Sequence, residues 1–122
     1  MKRVLVVDDA AFMRLVIRKL LEKNGFEVVA EAENGEVGVQ RYKEFRPDIV
    51  TMDITMPQLN GIEALKAIRE FDNKAKVVMV SAMGQEAMVK EAIMYGAKSF
   101  IVKPYKEEQV IETLTKILAM EA

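Results

Sequence analysis

Short apolar runs recur along the chain, and each is followed by polar residues. Most consist of Val, Ile, Leu and Met, which is typical of parallel strands that helices cover on both faces. The run over 28–32 contains Glu31 and is expected to be an edge strand. The predicted strands have the spacing of roughly 20 to 29 residues that a strand–helix unit needs, and they begin near Val4, Val28, Ile49, Val77 and Phe100.

Between these runs, apolar residues recur with the 3.6-residue period of amphipathic helices. Five helices are predicted, with apolar positions between 13 and 21, 37 and 45, 62 and 68, 88 and 93, and 110 and 118. Gly38 lies inside the second helix and should weaken it by about 1 kcal/mol relative to alanine. The alternation predicts a doubly wound α/β sandwich with right-handed crossovers, in which ligands bind beyond the carboxyl ends of the strands.

Four of the apolar runs end at polar residues with compatible chemistry, namely Asp8 with Asp9, Asp53, Ser81 and Lys103. The carboxyl ends of neighbouring parallel strands meet at one edge of a sheet, so these side chains should lie close together. Three crowded carboxylates repel one another unless a cation joins them, and hard oxygen ligands suit Mg²⁺ rather than zinc. The pattern predicts a magnesium-dependent phosphoryl site.

These residue types also limit the chemistry of the site. A carboxylate flanked by a metal and a lysine can attack phosphorus and form an aspartyl phosphate. Chemistry alone leaves the choice among the three aspartates open; Asp53 is favoured because it stands alone at the end of a central strand. Lys103 can contact a phosphate or pair with a carboxylate at rest. Ser81 can donate to a phosphoryl oxygen, and a role as a helix cap is an equal alternative.

Composition excludes several classes of protein. The 122 residues are expected to form a single domain, 1–122. With 18 basic and 19 acidic residues, the chain has no electrostatic footprint for nucleic acid or an anionic membrane. It has no cysteine, and without histidine it cannot be the phosphohistidine member of a relay. No signal peptide or spanning segment is apparent, so a cytoplasmic location is expected.

Six short motifs occur in one order along the chain: Asp8-Asp9 after two valines, the segment 52–57, Asn60-Gly61, and the segments 80–82, 96–98 and 102–104. Together they resemble the receiver domain of two-component response regulators over essentially the whole chain. The resemblance implies a flavodoxin-like (βα)5 sandwich with a parallel five-stranded sheet in the order 2-1-3-4-5.

The resemblance also implies a role for each site residue. Asp53 would be the phosphoacceptor, and Asp8, Asp9, Asp53 and the backbone carbonyl of Thr55 would hold Mg²⁺, with Mn²⁺ as an alternative ion. Asp8 would act through water. Lys103 would contact the phosphoryl group and precede Pro104 by a cis peptide bond.

Four further positions would read or tune the phosphorylated state. Ser81 would move toward the phosphoryl group, and Phe100 would rotate inward behind it. Thr55 and Met83 would flank the acyl phosphate and influence its hydrolysis. Because Met83 is bulky and apolar, it should hinder water and slow self-dephosphorylation.

In this interpretation the chain is a phosphorylation switch, not a true enzyme, with weak autophosphorylation and autodephosphorylation. A histidine kinase would charge it. The face formed by the fourth helix, fifth strand and fifth helix would bind a downstream target, such as the flagellar motor switch, and a phosphatase could act on it. Stand-alone chemotaxis regulators are the best match, and single-domain phosphorelay or sporulation receivers are the alternative.

Two other functions fit the pattern less well. A haloacid-dehalogenase-type phosphohydrolase needs a second acid where this chain has Thr55. A flavodoxin-like FMN carrier needs a donor-rich loop after the first strand, where Asp8 and Asp9 would repel phosphate.

Overall fold

The computed structural model describes residues 1–56 and 58–120. Pro57, the last residue of the motif 52–57, lies outside the described residues. Strands and helices alternate as predicted: β1 (Arg3–Val7), α1 (Ala11–Lys23), β2 (Glu27–Ala32), α2 (Gly35–Phe45), β3 (Ile49–Asp53), α3 (Gly61–Phe71), β4 (Val77–Ser81), α4 (Glu86–Met94), β5 (Ser99–Val102) and α5 (Glu107–Leu118). Within the described part of the chain, no helix is long and apolar enough to cross a membrane.

The strands form one parallel sheet in the order β2-β1-β3-β4-β5. This confirms the fold and strand order that the resemblance implies, and it confirms β2 as an edge strand. The three inner strands consist of buried residues apart from Arg3 at the start of β1.

Helices cover both faces of the sheet. On one face, α1 and α5 pack against alternate strand residues; the buried members of this core are Val4, Val6, Ile17, Leu21, Phe26, Ile49, Val78, Ile101, Val110, Leu114 and Ile117. On the other face, α2, α3 and α4 enclose a second core that includes Leu5, Val7, Tyr42, Val50, Met52, Leu65, Ile68, Val77, Met79, Val89 and Ala92. The alternation of strand residues between two cores explains why the inner strands are apolar at successive positions.

The expectation that the β5 run is covered on both faces is wrong at Phe100. That side chain is 45% exposed, whereas the adjacent Ile101 is 1% exposed. The cause is position, because β5 is the second edge of the sheet and only one of its faces is well covered.

Gly38 has a packing role that offsets its low helix propensity. A Cβ at this position would lie 3.1 and 3.2 Å from the two methyl carbons of Val7. The glycine therefore lets α2 approach the end of β1, immediately before Asp8.

Candidate metal and phosphoryl site

The strand ends bring the predicted acids to one edge of the sheet. Val7 of β1 pairs with Met52 of β3, so Asp8 and Asp53, the residues that directly follow them, lie side by side. Asp53 in turn pairs with Val80 of β4. Asp8 N–H extends the sheet by donating to the carbonyl of Ala32 at 3.0 Å.

The loop after β3 is drawn close to its strand by the Asn60-Gly61 motif. Asn60 caps α3 by accepting a hydrogen bond from Glu63 N–H at 2.9 Å. Gly61 N–H donates to the carbonyl of Ile54 at 2.8 Å, and a Cβ on Gly61 would collide with the carbonyl of Asp53. Only glycine fits here, which explains why the motif follows the phosphoacceptor candidate at this spacing.

Carboxylate oxygens of Asp8, Asp9 and Asp53 lie within 4.8 Å of one another. Asp8 and Asp53 are buried, with 2% and 8% of their surface exposed, and Asp9 is open to solvent. The site thus offers several oxygen atoms from one accessible side, and such a donor set fits a hard divalent cation that retains some of its waters. The three aspartates predicted for the metal are brought together, whereas their roles, and that of the Thr55 carbonyl, stay predictions.

Lys103 lies among these carboxylates. Its Nζ is 3.0 Å from Asp8 Oδ2 and 3.4 Å from Asp53 Oδ2. The backbone N–H of Lys103 donates to the carbonyl of Ser81 at 2.8 Å, and the peptide bond to Pro104 is cis, as the resemblance implies. At rest, therefore, the ammonium pairs with both buried carboxylates.

The charges shift the ionisation of the site. Burial is the main cause that raises the pKa of Asp53 to about 6; the nearby charges of Asp8 and Asp9 add to this, and Lys103 opposes it. Burial alone would lower the pKa of Lys103, but its hydrogen bonds and charge pairing with Asp8 and Asp53 raise it overall. Burial, followed by the same two carboxylates, raises the pKa of Tyr105, which sequence reasoning did not connect with the site.

The loop between β1 and α1 is held by contacts that the sequence did not reveal. Asp8 Oδ1 accepts from Ala10 N–H at 2.9 Å. The Arg14 guanidinium donates to the carbonyl of Asp8 at 2.7 Å and pairs with Glu31 at 3.2 Å. These bonds fix the backbone from which Asp8 and Asp9 extend.

Neutral residues lie on the other side of Asp53. Ser81 is 2% exposed at the end of β4, and Thr55 is exposed two residues beyond Asp53. The alternative of Ser81 as a helix cap is wrong, because α4 begins at Glu86 with Gln85 at its N-cap. The Gln85 amide instead contacts the two loops: its Oε1 accepts from Ala82 N–H at 2.7 Å, and its Nε2 donates to Thr55 Oγ1 at 2.8 Å.

Phe100 and Met83 line a mainly apolar cavity of about 440 Å³ between the β4–α4 loop and β5. Met83 is 82% exposed and Phe100 is 45% exposed. Phe100 therefore points outward in this structure, and Ser81 and Val102 line the same cavity.

The sequence and the structure of the chain are both similar to those of chemotaxis proteins. The chain is 60% identical to chemotaxis protein CheY of Bacillus subtilis over 116 residues, which cover 95% of this chain and 97% of that protein. It is 58% identical to chemotaxis protein CheY of Thermotoga maritima over the same length and coverage. Its structure matches a chain in the crystal structure of the CheX–CheY–BeF3–Mg complex from Borrelia burgdorferi with a TM-score of 0.93, at 40% identity, covering 98% of this chain and 90% of that one.

The family model described as response regulator receiver domain matches residues 4–115. This range contains all five strands except Arg3, together with each of the predicted site residues. The chain belongs to the response regulator receiver domain family.

Proposed function

We propose that the chain is a chemotaxis response regulator in which Asp53 accepts a phosphoryl group from a histidine kinase. The observation that carries this proposal is the cluster of Asp8, Asp9 and Asp53 with Lys103 bonded to two of them. The names of relatives that match over nearly their whole length support the chemotaxis role.

Asp8, Asp9, Asp53 and the backbone carbonyl of Thr55 would hold Mg²⁺, or Mn²⁺ in its place. Asp8 would act through a water molecule. Its two carboxylate oxygens already accept hydrogen bonds from Lys103 Nζ and Ala10 N–H. When bound, the ion neutralises the carboxylates and the incoming phosphoryl oxygens.

Asp53 is the nucleophile of this proposal. Its pKa of about 6 leaves it mostly ionised at neutral pH, so a carboxylate oxygen can bond to phosphorus while the bond from phosphorus to the kinase's histidine nitrogen breaks. Lys103 offers its ammonium to the transferred group, and Ser81 offers a hydroxyl. With acetyl phosphate as the donor, the Asp53 oxygen bonds to phosphorus while the bond from phosphorus to the acetyl oxygen breaks and acetate leaves, which gives weak autophosphorylation.

The output surface would be the face of α4, β5 and α5. Phosphorylation adds only about −0.5 to −1 in charge to a carboxylate, so the signal must pass through a structural element with two positions. The outward Phe100, beside a cavity that Ser81 also lines, supports that role. We propose the flagellar motor switch as the downstream target, a phosphatase as a further partner, the cytoplasm as the location, and a single receiver domain, 1–122.

Complementation tests the chemotaxis role. The gene would be expressed in a Bacillus subtilis strain that lacks its own chemotaxis protein CheY, and the expansion of colonies would be measured in soft agar. The wild-type chain should restore expansion, and Asp53→Asn should not. A chain that is phosphorylated on Asp53 but restores no expansion would contradict the chemotaxis role and favour a phosphorelay receiver.

A further inference from the structure

Gln85 links the two loops that flank Asp53 on its neutral side. Its Oε1 accepts from Ala82 N–H at 2.7 Å and its Nε2 donates to Thr55 Oγ1 at 2.8 Å. Ala82 directly follows β4, and Thr55 lies two residues beyond the end of β3. One amide therefore joins the ends of two neighbouring strands beside the candidate phosphoacceptor.

The Gln85 side chain bridges the two loops although its position is one at which side chains usually cap a helix. Gln85 is the N-cap residue of α4, where Ser, Asp, Asn or Thr normally accepts a hydrogen bond from the first turn of the helix. Asn34 and Asn60 cap α2 and α3 in this way. In the described range 58–120, the Gln85 side chain makes no such bond to α4, because both ends of its amide point toward the loops.

The bridge also fixes the turn that carries Met83. Ala82 and Gln85 close this turn, and Gly84 within it has a φ of 90°, which glycine adopts without strain. Met83 is exposed at the turn, whereas Asp53 is only 8% exposed. Asp53 pairs with Val80, so Thr55 and Ala82 each lie two residues beyond this pair, and the bridged turn adjoins the edge of the sheet at which Asp53 lies.

We propose that Gln85 is a positioning residue that prolongs the lifetime of a phosphoryl group on Asp53; this inference rests on the proposed function. In hydrolysis, a water oxygen bonds to phosphorus while the bond from phosphorus to the Asp53 oxygen breaks. The carboxylate and inorganic phosphate result, and a proton from the water is released. By tying the Met83 turn to Thr55, the bridge restricts the approach of that water.

Decay of the phosphorylated protein tests the bridge. The protein is phosphorylated with acetyl phosphate and Mg²⁺, the donor is removed, and the remaining phosphoprotein is followed by intact mass. Gln85→Leu keeps the approximate size of the side chain but loses both hydrogen bonds. It should decay about fivefold faster, the factor to which one hydrogen bond of ordinary net strength corresponds.

Gln85→Ser separates the bridge from helix capping. A serine can cap α4 but cannot reach Thr55, so this variant should also decay faster than the wild type. A decay rate equal to that of the wild type in Gln85→Ser would assign Gln85 to the helix and overturn the inference.

Thr55→Val supplies the partner mutation for a double-mutant cycle. Since both changes remove the same bond, Thr55→Val should speed the decay by a smaller factor in the Gln85→Leu background than in the wild type. If the two substitutions multiply the decay rate independently, or if Gln85→Leu decays like the wild type, the role of Gln85 is overturned. The proposed function of Asp53 would not be affected by either result.

Amide exchange in the unphosphorylated protein provides a readout that needs no phosphoryl group. Ala82 N–H should exchange faster with solvent in Gln85→Leu than in the wild type, because its acceptor is gone. Unchanged exchange would contradict the bridge. A wild-type chain that takes up no phosphoryl group would overturn the proposed function and this inference with it.

Discussion

The site has two halves that are built by different forces. The acidic half is charged and held by ion pairs, and it consists of Asp8, Asp9, Asp53 and Lys103. The neutral half is held by hydrogen bonds or is exposed, and it consists of Thr55, Ser81, Met83, Gln85 and Phe100.

This difference assigns the phosphorylation chemistry to the acidic half and the structural response to the neutral half. In the acidic half, buried like charges make each position energetically demanding, so a change there should alter stability as well as phosphorylation. In the neutral half, single hydrogen bonds and an outward ring involve small energies, and such elements can change position when a phosphoryl group arrives.

Removal of the Lys103 charge should have the largest effect on stability. Lys103→Met leaves Asp8 and Asp53 without their cation, and we expect a loss of about 3 kcal/mol in the free energy of unfolding without divalent metal. Urea unfolding measures this loss, and added Mg²⁺ should recover part of it.

Arg41→Met provides the matched control, because Arg41 forms an exposed pair with Glu44 at 3.0 Å. That change should alter the free energy of unfolding by less than about 0.5 kcal/mol. Equal losses of unfolding free energy in the two variants would show that the Lys103 ion pairs stabilise the fold no more than an exposed pair does.

The buried charge of Asp53 predicts an unusual pH dependence without divalent metal. Since the pKa rises from 3.8 to about 6 on folding, the folded state binds this proton more tightly. The contribution of Asp53 to stability therefore decreases as the pH rises from about 4 to about 6, by on the order of 2 kcal/mol.

Asp53→Asn removes this ionisation. In EDTA, the variant should be more stable than the wild type at pH 7, and the difference should shrink toward pH 4. Parallel curves of unfolding free energy against pH for the two proteins would contradict the raised pKa.

The smallest predicted effect lies in the neutral half. Met83→Glu should admit water more readily and speed loss of the phosphoryl group by about threefold, a change of less than 1 kcal/mol in the barrier. Met94→Glu is the control, because Met94 is 85% exposed at the far end of α4. If both variants decay like the wild type, Met83 does not tune hydrolysis.

The acidic half could be predicted from sequence because charged residues directly follow apolar strands. Strand ends of a parallel sheet have fixed relative positions, so Asp8 and Asp53 had to lie side by side once the strand order was assigned. Lys103 follows β5, two strands from β3, and it reaches both carboxylates through its long side chain. The order of the strands came only from the resemblance, because periodicity does not say which strands are neighbours.

The neutral half could not be predicted in the same way. An apolar Phe100 in a strand is normally core, and its exposure depends on β5 being an edge, a property of the whole sheet. Gln85 carries no pattern of its own, and its bridge depends on how two loops approach in space. The one available signal was a long amide at a helix start, where a short capping side chain is preferred.

Peptide mass mapping after incubation with acetyl phosphate tests the central claim most directly. The wild-type chain should gain one phosphoryl group on the peptide that contains Asp53 when Mg²⁺ is present, and almost none in EDTA. Asp53→Asn should gain none under either condition. A phosphoryl group on another residue, or equal modification with and without Mg²⁺, would contradict the account of Asp53 as a metal-dependent phosphoacceptor.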